Sequence, residues 1–201
     1  MPVSPNTLEG FQKGHILPEK AHRSEKLLGT NCALVELLSF VEDNRVIRVI
    51  SKKSRLPAHY LSLVQQEYQQ LKHHLGDLIP SGAFFLENDE LGRGMVTAFC
   101  SPVSIAYDIF ASDENWNIFK KEIDTSKSLQ DDIDMFIFGY KKLRGEGFYV
   151  DLWGDENLVI TREGRLKYID SFSINMQGRK TLKSVSEERF AKIEKLSTLP
   201  S

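Results

Sequence analysis

The chain has 201 residues, 41% of them apolar and 27% charged, and a formal net charge of −2. That length suits one domain or two small lobes, with enough apolar material for a folded core. The slightly acidic balance speaks against general nucleic-acid binding, and no apolar run approaches the roughly 20 residues that a membrane span needs.

The start of the chain, Met1-Pro2-Val3-Ser4-Pro5, lacks a basic-then-apolar secretory pattern. The two cysteines, Cys32 and Cys100, lie far apart and suggest neither a disulfide framework nor a zinc site. They read as buried thiols in a reducing cytosol, a single disulfide being the alternative, so a cytoplasmic protein is expected.

Residues 1–24 mix Pro, Gly, Lys and His without periodicity and read as a loose leader. Leu27-Leu28 and residues 32–41 read as a hairpin around Gly29-Thr30-Asn31. Asp43-Asn44 is a turn signal. Arg45-Val46-Ile47-Arg48-Val49-Ile50 follows as a strand, β-branched at four of six places. Pro57 opens a helix to about Leu75, with Leu61, Val64, Tyr68, Leu71 and Leu75 on one stripe. Gly76 ends it. Residues 83–87 and 95–100 read as two further strands joined by a turn over 88–94. The first hundred residues therefore run β, β, β, α, β, β.

In the second half, Ser128-Leu129-Gln130-Asp131 reads as a helix cap. Ile133, Phe136, Ile137 and Tyr140 give that helix an apolar face, and Gly145 and Gly147 close it. Residues 148–150, 158–161 and 166–169 are short strand candidates, the last two flanking an Arg162-Glu163-Gly164 turn. Ser184-Val185-Ser186-Glu187 is a capping box before a final helix to about Leu196. Five histidines, His15, His22, His59, His73 and His74, show no metal spacing, and the adjacent His73 and His74 read as surface groups. Trp116 and Trp153 read as packing anchors.

Chemistry-bearing residues concentrate after the second helix. Asp151-Leu152-Trp153-Gly154-Asp155-Glu156-Asn157 is followed, beyond a hairpin, by Asp170-Ser171-Phe172. Carboxylate and amide oxygens on two short strands joined by a turn suit a hard cation such as Mg²⁺ shared with phosphates. The order of elements, with these residues on them, resembles the protein-kinase-like superfamily over residues 25–175. The Asp151-Leu152-Trp153-Gly154 segment is similar to the catalytic loop of aminoglycoside and fructosamine kinases.

The resemblance implies an α+β, two-lobed fold. Residues 25–100 would be a small antiparallel-sheet N-lobe with one helix, and 101–201 a reduced, mostly helical C-lobe, made minimal by the short stretch after Asp170. It also implies ATP and Mg²⁺, with the metal held by Asn157 and Asp170, thirteen positions apart. Asp151 would orient the acceptor hydroxyl as catalytic base. The kinase signature places the Asn five residues after that Asp. Here the interval is six, which leaves Asp155 as a second candidate base, and the Gly of the Asp-Phe-Gly motif is absent.

Upstream, the resemblance pairs a strand cation with a helix carboxylate. Arg48 and Glu67 stand nineteen positions apart. A cation between branched apolar neighbours reads as half of a buried pair, gripping phosphate while Glu67 holds it. Arg is a planar fork where the family has Lys, a point charge; Lys52 and Lys53 are possible substitutes but lie beyond the expected strand end. Gly29 alone remains of the glycines expected in a phosphate-covering hairpin. Residues 95–102 would be the adenine hinge.

The expected activity is transfer of the ATP γ-phosphoryl group to a hydroxyl on a protein or small molecule, with no nucleic-acid or membrane partner. The alternatives are a pseudokinase-type binding module and an unrelated α+β interaction domain.

Overall fold

The computed structural model describes residues 22–27, 34–42, 45–88, 91–148, 150, 152, 157–169 and 191–199. The protein is α+β, with antiparallel sheets. The chain divides into two compact units. One is drawn from residues up to Gln66 and from Pro80–Pro102, the other from Glu67–Ile79 and from Val103 onward.

The first unit holds a five-stranded sheet of β1 (His22–Leu27), β2 (Leu34–Glu42), β3 (Arg45–Pro57), β4 (Gly82–Asn88) and β5 (Gly94–Cys100), in the order β1-β2-β3-β5-β4. β1 begins at His22, inside the stretch expected to be leader. Strand alternation sends every second residue to one face. The pairs Leu38–Val49 and Ala83–Phe99 form the small apolar cluster of this unit. Phe85 adds a tilted ring contact to Phe99 at 5.3 Å.

β3 is more than twice as long as the six residues its apolar run suggests. Its polar continuation, Ser51 to Lys53, is paired on both sides, by β2 and by β5. Pro57 ends this strand in an extended conformation (φ −60°, ψ 158°) and is the N-cap of the helical stretch that follows. A single 3-10 turn, Ala58–Tyr60, intervenes before α1 (Leu61–Leu75). The expected stripe is present in α1: Val64, Leu71 and Leu75 are buried, and Leu61 and Tyr68 half-buried. Gly76, at φ +52°, takes the left-handed conformation that lets the chain leave the helix.

The second unit contains β6 (Ile105–Asp108), α2 (Asp113–Ile123), α3 (Lys127–Gly145), β7 (Leu158–Thr161) and β8 (Leu166–Tyr168). Its three-stranded sheet has the order β6-β7-β8. α2 and β6 were not expected from the sequence. The Ser112 hydroxyl caps α2, accepting from the Asn115 amide at 3.1 Å, and Trp116, Phe119 and Ile123 bury one face.

α3 starts one residue before the predicted cap: Ser126, not Ser128, accepts from the Leu129 amide at 3.3 Å. Leu129, Ile133, Phe136, Tyr140 and Leu143 then line the core with Leu71, Leu75 and Tyr168. Gly147 (φ +83°) breaks the chain away, and the Phe148 amide still donates to the Leu143 carbonyl at 2.9 Å. Phe148 and Val150 are therefore not strand residues. Residues 191–197 are helical, and Ile193 and Leu196 join the same core. The capping box at 184–187 lies outside the described residues.

Candidate functional site

The cations of β3 fall into three environments. Among the described residues Arg48 pairs with Ser39 of β2, and the β5 ladder begins two pairs further in, at Ile50–Cys100. Arg48 is exposed, not buried as expected. Lys53 stands between Leu34 and Thr97. Its ammonium lies 3.2 Å from Glu87, whose carboxylate also accepts from the Thr97 hydroxyl at 3.1 Å.

Lys52 stands between Val35 and Ala98, in the middle of three paired strands. Paired residues share a face, so Lys52 shares one with Val35 and with Ala98, which is fully buried. It is half-buried itself. Lys52 therefore lies within the strand and not beyond its end, as the sequence had suggested. The signal was in Val49-Ile50-Ser51-Lys52, where the alternation of the preceding residues simply continues.

Glu67 lies on the buried stripe of α1, between Val64 and Leu71, and is 6% exposed. A carboxylate so withdrawn from water must be matched by polar or cationic groups, since an isolated buried charge is very costly. It is fifteen positions from Lys52.

Asn157 is 9% exposed. Its backbone carbonyl accepts from the Ile169 amide at 3.0 Å, one step beyond the Leu158–Tyr168 pair that opens the β7–β8 ladder. The hairpin thereby sets Asn157 opposite Ile169, the residue that precedes Asp170 in the chain. Asp170 itself, with Gly29, Asp151, Asp155 and Trp153, lies outside the described residues. The chain neighbours of Asp151, Val150 and Leu152, are 2% and 1% exposed, both in the core of the second unit. The Leu152 carbonyl accepts from the Lys192 ammonium at 2.9 Å.

The hairpin is fastened to α3 by a fork the sequence did not reveal. Arg165 Nε and Nη2 donate to the two oxygens of Asp132 at 2.8 and 2.6 Å, and the Leu166 amide donates to the same carboxylate at 3.0 Å. Asp132 is 1% exposed, and its hydrogen bonds and charge push the Arg165 guanidinium above its ordinary value. Lys167 donates to the Asp77 carbonyl and Lys72 to the Ile79 carbonyl, the latter at 2.8 Å, so two amines secure the turn after α1. Burial lowers the Lys167 ammonium from its ordinary value. Tyr107 donates to Glu122 at 2.5 Å, and burial and that carboxylate raise its phenol well above the usual range.

His74 is not a surface group: its side chain is 12% exposed and its Nε2 meets Glu146 at 3.0 Å. Cys100 is a buried free thiol, whereas Cys32 lies outside the described residues. Among the described residues, no cluster of three or more His, Cys, Asp or Glu side chains is placed to hold a metal ion. No described helix is long and apolar enough to cross a membrane. No protein-family model matches the chain, and no curated protein matches it.

Proposed function

We propose that the protein is an atypical, minimal kinase, two-lobed in plan, that transfers the γ-phosphoryl group of ATP to a hydroxyl acceptor in the cytoplasm. One observation carries this proposal: β3 extends far enough to put Lys52 at mid-strand, between Val35 and Ala98, upstream of a helix with a buried Glu67. In this scheme Lys52, not the exposed Arg48, takes the place of the family's strand lysine, and Glu67 that of its helix carboxylate. A compact ammonium suits that place better than a guanidinium fork. The antiparallel sheet with one helix inserted after its third strand supports the same assignment.

The donor set fits Mg²⁺. Asn157 offers an amide oxygen at the end of a hairpin, and Asp170, one residue past its cross-strand neighbour, offers a carboxylate; hard cations take such oxygens. Asn157 and Asp170 would hold the ion, which would neutralise charge developing on the phosphates. The acceptor oxygen bonds to the γ-phosphorus, the bond from that phosphorus to the bridging oxygen breaks, and ADP leaves with the electron pair. The hydroxyl proton passes to Asp151 or Asp155.

The test is a melting measurement. ATP with Mg²⁺ at a hundredfold excess over Kd raises the transition by roughly 5–10 °C, because it binds only the folded state. Lys52→Met and Asp170→Ala abolish the rise, and Arg48→Met keeps it. No rise in the wild type sinks the proposal. Turnover of ATP that vanishes in Asp151→Ala but not in Asp155→Ala names the base. A nucleotide-dependent rise without turnover identifies a pseudokinase-type module.

A further inference from the structure

We propose that Lys192 is a positioning residue for the segment carrying Asp151, an inference that rests on the function proposed above. Residues 191–197 form a helix whose Ile193 and Leu196 are packed into the core of the second unit. The face that carries Lys192 and Lys195, three residues apart, lies over an aromatic pair. Lys192 Nζ is 5.3 Å from the Phe110 ring centroid and Lys195 Nζ is 4.3 Å from that of Trp116. The two rings stack at 5.8 Å. Both amines therefore make the same kind of cation–π contact.

Lys192 has a further contact. Lys192 also donates to the Leu152 carbonyl at 2.9 Å, forty residues away in sequence. A hydrogen bond from an ionised donor is shorter and stronger than a neutral one. Asp151 is flanked in the chain by Val150 and Leu152, whose side chains are buried at 2% and 1% exposure. Those side chains anchor the segment from the core, and Lys192 fixes its main chain at the Leu152 carbonyl. Without the amine, rotation about the bonds of Leu152 could swing that carbonyl while the side chain stayed in place. In-line phosphoryl transfer depends on placement, and a shift near 1 Å can cost about a hundredfold in rate.

The Lys195 contact supplies the control. Lys192→Met is expected to raise amide exchange across residues 150–157 about tenfold. ATP turnover with Mg²⁺ and no added acceptor should fall roughly 10- to 100-fold in kcat, with the KM for ATP within about twofold. Lys192→Arg, which keeps a charged donor, restores most of both. Lys195→Met, which loses the ring contact to Trp116, changes neither. Should Lys192→Met fail to fold, Lys192→Leu serves the same comparison.

Unchanged exchange and unchanged kcat in the Lys192 variant overturn the inference and leave the proposed function standing. An equal effect from Lys195→Met also overturns it, because helix docking in general would then be responsible. A wild type without turnover removes the catalytic role together with the proposed function, while exchange still reports whether the tie exists.

Discussion

In the unit with the five-stranded sheet, the buried apolar cluster among the described residues is small: Leu38, Val49, Ala83 and Phe99. In the other unit a continuous cluster runs from Leu71 to Leu196, through Trp116, Phe119, Phe136 and Tyr168. The sheet unit places its backbone mainly by ladder hydrogen bonds, the bulge at Ser54 apart, and polar side chains such as Ser51 and Thr97 are buried within it. The second unit places its backbone by side chains: Asp132 on the Leu166 amide, Lys192 on the Leu152 carbonyl, Lys72 on the Ile79 carbonyl. Substitutions should accordingly be cheap in the first unit and expensive in the second.

The sharpest contrast is between two glycines. A Cβ on Gly139 of α3 would lie 2.6 Å from the His74 carbonyl oxygen and 2.6 Å from Leu75 Cδ2. The Leu75 side chain can turn aside, but the carbonyl is part of α1. Gly139→Ala should cost about 3 kcal/mol. A Cβ on Gly94 of β5 would meet only the Ala58 Cβ, at 3.2 Å. Gly94→Ala should stay within about 1 kcal/mol. Denaturant midpoints decide, and equal costs would break the contrast.

Two carboxylates give the next comparison. Asp132→Ala strands the buried Leu166 amide as well as one end of the Arg165 fork, and should cost about 2–3 kcal/mol. Glu87 is 28% exposed and faces a similarly exposed Lys53. Glu87→Ala should cost under about 1 kcal/mol. A reversal of that order would show that the sheet unit, too, depends on side-chain fastenings.

The smallest effect concerns pH. Burial lowers the folded-state pKa of Lys167 below its ordinary value of 10.5. Between those two values the unfolded chain holds more protons, so the penalty is full below the window and fades as pH rises through it. The stability of the wild type relative to Lys167→Met should therefore increase as pH approaches 10.5. A flat difference would mean that the amine is not desolvated, and that this edge of the second unit is as open as the sheet.

Much of the element order was legible. The apolar stripe of α1 and the glycine-marked turns needed only periodicity and conformational arguments. β3 was cut short because Ser51-Lys52-Lys53-Ser54-Arg55 resembles a loop in composition; pairing to strands on both sides, which composition does not report, keeps it extended. α2 was legible in principle, from Ser112 followed by Asp113-Glu114 and apolar residues at 116, 119 and 123. Its high charge masked the stripe. The Asp132–Arg165 fork joins residues with no helical or hairpin spacing between them, and only the tertiary fold brings them together. Of the candidate residues, Glu67 and Asn157 are buried, whereas Arg48, chosen for its spacing from Glu67 and its branched apolar neighbours, is exposed.

One irregularity in β3 has a bearing on descent. Its regular pairing with β5 stops at Lys53–Thr97 and resumes only at Pro57–Met95. In the gap, the Ser54 hydroxyl donates to the Val96 carbonyl at 2.7 Å and accepts from the Leu56 amide at 3.1 Å. The hydroxyl does the work of missing rungs, and the bulge takes up slack. An insertion or deletion between Arg55 and Pro57 can be absorbed there, whereas one upstream would invert every side chain of the strand. Ser54 thus acts as a register stop, leaving the connection into α1 open to variation in length while the residue facing Ala98 stays a lysine.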